Sequence, residues 1–393
     1  MTAFVTVLLL SGVIYALVIG SFAAGFQRVI RQQRSRPTED VLPFVSVIVP
    51  ARDEEEHIGA CLDAIFAGDY PPDRFEVIVA DDLSEDRTAH VVRRTMERVN
   101  ALTLAGFDDE AESPRLRLVQ ITENADRARA HKKRAIEQAI GEARGDIILT
   151  TDADCVVPPR WIRTLAETFD PATALVSGPV LYPTGGAAAN VSALEFLGLV
   201  AVGAGAIGIG RPTLCNGANV AYRKEVFEAL GGFNGIDHLT SGDDELLMQK
   251  IAYSTDWQVR FCAAREAAVL TEPPDSPQAF FEQRRRWASK GAYYPNPGLV
   301  ATILAIYTFY VTLLGGLLAL PFVPGLAVPV LAGFALKSVP EAMLLGPACR
   351  HFGRGRLMAY FLPAQILHLP YIVAMGAAGA LGGYTWKGRR VQR

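Results

Sequence analysis

The amino-acid sequence predicts a doubly wound α/β sheet flanked by membrane-spanning helices. Two observations carry this prediction. Short apolar runs alternate with helical patterns between about residues 43 and 155, and long segments without charged residues lie near both ends of the chain. Hydrophobic residues make up 50% of the 393 residues although 20% are charged, so the apolar residues must be segregated. A chain of this length is too long for one ordinary soluble core, and we expect a domain and a further part.

Four apolar runs predict the strands of the sheet. They cover 45–50, 75–81, 116–122 and 146–152, and they are continuous rather than alternating, which is typical of buried parallel strands. Segments with a helical spacing of apolar residues lie between them. Strand and helix therefore alternate as in a doubly wound sheet, whose ligands bind beyond the carboxyl ends of the strands.

Acidic residues lie at three of these strand ends. Asp53 follows the first strand, Asp81 and Asp82 end the second, and Asp152 and Asp154 end the fourth. Taken alone, each pair is explained by a polar turn. A divalent cation is the alternative for the last pair, because Mg²⁺ and Mn²⁺ take oxygen ligands, often one or two carboxylates plus substrate phosphates. Three acidic groups on one edge of a sheet favour a ligand site over a solvated face.

Three further clusters have the composition of a binding or catalytic site. Lys132 lies in a basic first helical turn, which the helix dipole disfavours, so either a bound anion or a solvated surface explains it. Asp243 and Asp244 open an amphipathic helix, where the dipole alone would favour an acid pair. The run "FFEQRRRWASKG" precedes an apolar segment; a cytoplasmic basic flank explains its arginines but not its Gln283 or Trp287.

The order of these motifs resembles the membrane-anchored family 2 glycosyltransferases, which include cellulose, chitin and hyaluronan synthases and ceramide glucosyltransferase. The resemblance covers about residues 43–290 and the flanking membrane segments, and it rests on "VSVIVPARDEEEHI", "VIVADDLSEDRT", "HKKRAIEQAI", "TDADC", "CNGANVAYRKEVFEALGGF", "GDDE" and "QRRRW". It implies a GT-A fold and an inverting transfer from a nucleotide-diphosphate sugar, with a UDP-sugar as the expected donor. It also implies a Mg²⁺ or Mn²⁺ cofactor.

The resemblance also implies roles for single residues. Asp82, with Asp81 beside it, matches the acid that contacts the nucleotide base, and Asp53 lies on the same nucleotide-sugar side. Lys132 matches the lysine of a "GK" element whose glycine is here His131. Asp152 and Asp154 match the DxD pair, with Asp154 as the more direct metal ligand. Asp244 matches the catalytic base, and Asp243 beside it stands in place of the usual glutamate. Gln283, Arg286 and Trp287 match the QxxRW motif on the acceptor and diphosphate side.

The uncharged segments predict the membrane topology. Residues 1–27 fit one span and 291–336 fit two, with a turn near "PFVPG". Residues 357–386 are long enough for one span, but a re-entrant segment around His368–Pro370 is the alternative. Basic flanks place the polar region in the cytoplasm of an integral membrane protein. The predicted parts are an anchor (1–27), a cytoplasmic domain (28–290), a membrane region (291–386) and a basic tail (387–393).

Charge, cysteine content and several local patterns complete the sequence analysis. The net charge of −3 gives no reason to expect nucleic acid, and the five scattered cysteines show neither a disulfide framework nor a zinc site. Gly203, Gly205 and Gly208 match a dinucleotide fingerprint, but the strand–turn–helix context of that fingerprint is missing. We therefore expect residues 198–212 to form a flexible, membrane-interfacial segment rather than a dinucleotide-binding loop. An acidic mobile insertion is expected over 104–115. Lys337 and Glu341, four residues apart in a predicted span, are expected to form a structural ion pair.

The expected function is therefore sugar transfer to a lipid, lipid-linked or saccharide acceptor at the membrane. A processive polysaccharide synthase is the alternative within the family, although the membrane part is small for a translocating channel. A membrane-tethered nucleotide-sugar binding protein is the alternative from another class. An intact Asp244 argues against it, because binding alone needs no base.

Overall fold

The computed structural model describes residues 1–33, 42–106, 115–121, 131–239, 241–294, 296–381, 384–386 and 389–391. Most of the expected acidic insertion over 104–115 lies outside these residues. The helices and strands follow in chain order: α1 (Thr2–Gln33), β1 (Val45–Ala51), α2 (Ile58–Phe66), β2 (Phe75–Asp81), α3 (Thr88–Gly106), β3 (Leu116–Gln120), α4 (His131–Glu142), β4 (Ile147–Thr150), β5 (Cys155–Val156), α5 (Trp161–Ala166), β6 (Thr173–Ser177), β7 (Val180–Leu181), α6 (Ala187–Gly208), β8 (Val220–Arg223), α7 (Lys224–Ala229), α8 (Glu245–Ser254), β9 (Gln258–Phe261), β10 (Val269–Thr271), α9 (Pro277–Ala288), α10 (Pro297–Ala319), α11 (Ala327–His351), α12 (Phe361–Leu381), β11 (Tyr384–Trp386) and β12 (Arg389–Val391).

The chain divides into two compact units. The sheet unit comprises Val29–Leu181 and Leu214–Glu272, and the helical unit comprises Met1–Arg28, Tyr182–Thr213 and Pro273–Arg393. All four predicted strands belong to the sheet unit.

The sheet unit contains a seven-stranded mixed sheet in the order β3-β2-β1-β4-β8-β6-β9. The first four strands in this order are parallel, as the sequence predicts, and β8 pairs antiparallel with both β4 and β6. The mixed α/β sheet is therefore confirmed. The register places Ala51 beside Asp81, and Asp81 beside Gln120, so the carboxyl ends of β1, β2 and β3 lie at one edge.

Apolar residues explain why these strands and helices form. Val47, Ile48 and Val49 of β1 are fully buried, and each such side chain contributes about 1.5–3 kcal/mol when removed from water. Helix α4 packs on β1 and β2 through a buried apolar face that includes Ile136 and Ile140. This packing places the first turn of α4 at the carboxyl edge of the sheet.

The helical unit is built from long apolar helices. Across both units, five helices among the described residues are long and apolar enough to cross a membrane: Thr2–Gln33, Ala187–Gly208, Pro297–Ala319, Pro324–His351 and Gly355–Gly379. Helices α10 and α11 are joined by a short connection through Phe322 and Pro324, where the sequence predicts the hairpin turn. Helix α12 continues through Pro370 without a break, which favours a span over the re-entrant alternative.

The glycine-rich run near residue 205 differs from its prediction. It is not a flexible segment but lies within helix α6, a possible fifth span that the sequence pattern did not indicate. A Cβ atom on Gly205 would lie 2.3 Å from the carbonyl oxygen of Phe22, and one on Gly25 would lie 2.1 Å from the carbonyl oxygen of Gly205. Glycine here permits close backbone packing of α6 on α1. The three glycines of the dinucleotide fingerprint lie within a helix rather than in the loop that such a fingerprint requires.

Candidate active site

Lys132 joins the two acid pairs that the sequence singled out. Its ammonium nitrogen lies 2.7 Å from Asp152 Oδ1 and 3.3 Å from Asp243 Oδ2. These residues are 20 and 111 positions apart in the chain, so the fold and not local sequence brings them together. Burial lowers the pKa of Lys132, but the carboxylates of Asp152 and Asp243 outweigh that effect and hold it above its ordinary value. The lysine is therefore charged at neutral pH.

Asp243 is held as an anion by the same contacts. Burial raises the pKa of its carboxyl group, but Lys132 and Lys133 outweigh burial and hold that pKa below its ordinary value. The side chain is only 13% exposed, so water screens this interaction weakly. The shorter arm of aspartate, compared with the glutamate expected at this position, still reaches the ammonium group of Lys132.

Helix α4 also reaches the acids at the end of β2. The Nδ1 atom of His131, the residue in place of the expected glycine, lies 3.7 Å from Asp82 Oδ1. Asp82 is buried, and its carbonyl oxygen accepts a hydrogen bond from Arg52 at 2.8 Å. Consecutive residues of α4 thus contact the acids that follow β2 and β4.

Asp81 and Asp53 have structural partners of their own. Asp81 Oδ1 accepts a hydrogen bond from the Ser84 N–H at 3.1 Å, a local contact in the polar turn that the simpler explanation predicts. Asp53 adopts a left-handed backbone (φ 50°) that is uncommon for a residue other than glycine. Its Oδ1 accepts from the Glu85 N–H at 2.8 Å, which ties the loop after β1 to the loop after β2. The nucleotide-binding roles of Asp81 and Asp53 stay predictions.

Asp244 is fixed by two backbone donors. It is the N-cap of α8, and its Oδ1 accepts from the Glu245 N–H at 2.7 Å. Its Oδ2 accepts from the Gly217 N–H at 2.8 Å. Each carboxylate oxygen has two lone pairs, so both oxygens of Asp244 retain one acceptor position. The helix dipole accounts for an acid at this position, but it does not exclude a second role as a base.

A short 3₁₀ turn, Gly217–Asn219, supplies the partner of Asp244. Thr150, the last residue of β4, donates to the Gly217 carbonyl oxygen at 3.0 Å. Asn219 is fully buried and donates to the carbonyl oxygens of Pro179 and Ala267, both at 2.8 Å. The turn therefore links the end of β4 to the N-terminus of α8, which explains why "CNGAN" accompanies the acid motifs.

The DxD pair supplies carboxylates of the kind that a divalent cation requires. Asp152 is half-buried and paired with Lys132, whereas Asp154 is exposed. Although part of Asp154 faces solvent, desolvation of its carboxyl group by the surrounding protein raises the pKa of that group, and the carboxylates of Asp152 and Glu54 raise it further. No group of three or more acids, histidines or cysteines with metal-binding geometry occurs in the described part of the chain. Two carboxylates plus substrate phosphates nevertheless suit Mg²⁺ or Mn²⁺, and a cation would relieve this crowding of negative charge.

The QxxRW residues lie on α9 of the helical unit. Gln283 Oε1 accepts a hydrogen bond from the Tyr182 hydroxyl at 3.4 Å, and the Trp287 ring stacks on Phe196 at a centroid distance of 6.2 Å. The Arg286 carbonyl oxygen accepts from the Ser289 hydroxyl at 2.8 Å. These contacts fix α9 within its own unit, and the acceptor-side roles of the three residues stay predictions.

Several residues of these clusters escaped sequence reasoning. Glu54 was one acid in a run of three, and nothing in the sequence marked it as the neighbour of Asp154. Arg284 lies inside QxxRW at a variable position, yet it is 3% exposed and bonds to Glu195 at 2.5 Å. Lys133 is likewise buried rather than solvated. The "HKKR" run shows that lysines are present but not which of them points inward.

Two curated proteins are similar to part of this chain. A probable glycosyltransferase YdaM of Bacillus subtilis (strain 168) is 27% identical over 276 residues, which is 68% of this chain and 59% of that protein. A beta-monoglucosyldiacylglycerol synthase of Synechocystis sp. is 27% identical over 263 residues, which is 63% of this chain and 48% of that protein. The chain thus spans about half to three fifths of the length of these curated relatives.

A solved structure supports the fold. The mannosyltransferase PcManGT of Pyrobaculum calidifontis, in complex with GDP-Man and Mn²⁺, aligns with 94% of this chain and 98% of its own at a TM-score of 0.54 and 22% identity. The motifs resemble family 2, whereas the matching family model is that of family 21, so the confirmed parts of the expectation are membership of a glycosyltransferase family and a mixed α/β sheet. Because that model matches residues 4–390, the chain belongs to glycosyl transferase family 21.

Proposed function

We propose that the chain is an inverting glycosyltransferase that moves a sugar from a nucleotide-diphosphate sugar to a lipid or lipid-linked acceptor at the cytoplasmic face of a membrane. The observation that carries this proposal is the bridge from Lys132 to Asp152 and Asp243, because it joins the DxD motif to the acid pair that contains the base. The beta-monoglucosyldiacylglycerol synthase among the relatives and the five apolar helices support a lipid acceptor. The complex of PcManGT with GDP-Man supports a nucleotide-sugar donor.

The residues of the sheet unit have these roles in the proposed reaction. Asp244 takes the proton from an acceptor hydroxyl while that oxygen attacks the anomeric carbon. The bond from that carbon to the diphosphate oxygen breaks, and the diphosphate leaves with the electron pair, so a single displacement inverts the centre. Lys132 contributes positive charge beside the leaving diphosphate. Asp152 and Asp154 would hold Mg²⁺ or Mn²⁺, which neutralises charge on the diphosphate when bound.

A donor panel tests the function. Full-length protein in detergent is incubated with UDP-, GDP- and other nucleotide-linked sugars, Mn²⁺ or Mg²⁺, and membrane lipids. We expect a glycolipid carrying one or a few sugars from one donor class, with a UDP-sugar as the first candidate. A long polymer would instead support the processive alternative. Nucleotide-sugar binding without any transferred sugar would support the binding-protein alternative.

Removal of the cation tests the role of the DxD pair. We expect EDTA to abolish transfer and added Mn²⁺ or Mg²⁺ to restore it, because Lys132 alone would then compensate the charge of the leaving diphosphate. Asp154→Asn should raise the Mn²⁺ concentration needed for half-maximal activity, and Asp256→Asn, at an exposed position after α8, is the matched control. Full activity in EDTA, or an unchanged Mn²⁺ requirement in Asp154→Asn, would contradict this assignment.

A further inference from the structure

Lys133 is the buried neighbour of Lys132 and has a different set of partners. Its side chain is 2% exposed, and its ammonium group donates hydrogen bonds to three carbonyl oxygens, those of Ile236 at 2.6 Å, Leu239 at 2.9 Å and Ser241 at 3.0 Å. An ammonium group has three N–H bonds to donate, and each of these carbonyl oxygens lies within hydrogen-bonding distance of it. All three belong to the segment that precedes Asp243 and Asp244.

This segment, described over residues 231–239 and 241–242, is rich in glycine. Gly231, Gly232, Gly235 and Gly242 all have positive φ, between 57° and 87°. Glycine adopts this conformation without a steric penalty but also leaves the unfolded chain more freedom, so such a segment is costly to order. Gly242 directly precedes Asp243. The direction in which the acid pair enters α8 therefore depends on how the segment is held.

Charged side chains hold the segment at both ends. Glu137, one turn after Lys133 on α4, accepts a hydrogen bond from the Phe233 N–H at 3.0 Å. Lys250 of α8 donates to the carbonyl oxygens of Gly232 at 3.0 Å and Asn234 at 2.9 Å. Lys250 and Glu137 thus hold the N-terminal half of the segment, and Lys133 holds the C-terminal half that leads to the acid pair.

Burial of Lys133 needs a compensating interaction. Moving an ammonium group out of water costs several kcal/mol unless other groups satisfy it. Ile136 and Ile140, three and seven positions after Lys133, show that α4 otherwise buries apolar residues on this side. The three carbonyls provide the compensation, and because they belong to three different residues, the ammonium group holds Ile236, Leu239 and Ser241 close to one another. The positive charge also favours the anionic form of Asp243.

We propose that Lys133 is a positioning residue that holds the backbone of Ile236, Leu239 and Ser241 so that Asp243 reaches Lys132 and Asp244 is presented to the acceptor. The inference rests on the proposed function, because it takes Asp244 as the base. Adjacent residues of a helix point about 100° apart. The first turn of α4 can therefore pair with the acids through Lys132 while Lys133 binds the backbone of the segment that leads to Asp243.

The test compares two lysines that hold the same segment. Full-length Lys133→Met and Lys250→Met are assayed for kcat, for the KM of the donor and for binding of the nucleotide diphosphate. We expect Lys133→Met to lower kcat on the order of 10²-fold, the cost of a misplaced catalytic group, with donor KM and nucleotide binding nearly unchanged. Lys250→Met should destabilise the segment without this loss of kcat. Equal effects of both variants on kcat, or none from Lys133→Met, would overturn the proposal.

Two further measurements keep the test decisive. If Lys133→Met is not recovered folded, Lys133→Arg replaces it, because a planar guanidinium cannot repeat three bonds from one nitrogen, and the same readouts apply. Amide hydrogen exchange over residues 232–244 should accelerate in the Lys133 variant, and unchanged exchange would contradict the contact itself. An inactive wild-type protein would end the proposed function, whereas an active wild type with a fully active Lys133→Met would end only this inference.

Discussion

Asp244→Asn is expected to lower the rate of sugar transfer by about 10²–10⁴-fold, the usual contribution of a general base. The carboxylate at this position has two oxygens, each engaged by one backbone N–H and each with a lone pair to spare. An amide keeps only one oxygen and cannot accept a proton at neutral pH. The acceptor hydroxyl would then have to attack without losing its proton to the enzyme.

Binding measurements separate this chemical effect from a structural one. Asp244→Asn should bind the nucleotide diphosphate nearly as well as the wild type, because Lys132 contacts Asp152 and Asp243 rather than Asp244. The amide NH₂ group does face one backbone donor unfavourably, so the melting temperature is measured alongside. Asp256→Asn is the control for the substitution itself. Transfer at the wild-type rate would remove Asp244 from the role of base.

The parallel strands of the sheet could be predicted because each is marked by a local run of apolar residues. Runs such as 45–50 and 75–81 are mostly apolar and do not alternate, because both faces of a central parallel strand are covered, and they form β1 and β2. Acids at the carboxyl ends of such strands must meet at one edge, which made the candidate site predictable in outline. The antiparallel insertion of β8 between β4 and β6 depends on contacts distant in sequence, and no local pattern indicates it.

The remaining features depend on which way a side chain points. The sequence "HKKR" does not distinguish its two lysines, yet Lys132 contacts an acid and Lys133 contacts a backbone carbonyl oxygen. A helical charge run looks the same whether it is solvated or buried. The sequence pattern did not predict helix α6, for another reason. Its glycines and alanines resemble a flexible segment by composition, but they allow close approach to α1, a contact that becomes visible only when both helices are placed.

The predicted ion pair of Lys337 and Glu341 is part of a larger polar cluster in the structure. Its members come from four helices of the helical unit and are all buried. Lys337 Nζ lies 3.0 Å from Glu341 Oε1, and the Glu341 carboxylate also accepts hydrogen bonds from Tyr15, Tyr310 and Gln365. Charges among apolar helices are costly unless paired. The interpretation as a structural pair therefore extends to a polar cluster that fixes how α1, α10, α11 and α12 pack.

Lys337→Met is expected to destabilise the protein by about 3–5 kcal/mol, because it leaves the Glu341 carboxylate buried without its counter-charge. The double variant Lys337→Met/Glu341→Gln should recover most of that loss, since the amide oxygen still accepts from the tyrosines and no charge remains. Thermal unfolding of detergent-solubilised protein, followed by tryptophan fluorescence, measures both. Arg98→Met is the control; it removes a surface pair with Asp63 whose side chains are each 57% exposed, and it should cost about 0–1 kcal/mol. If the double variant were less stable than Lys337→Met, the uncompensated charge could not be the cause of the loss.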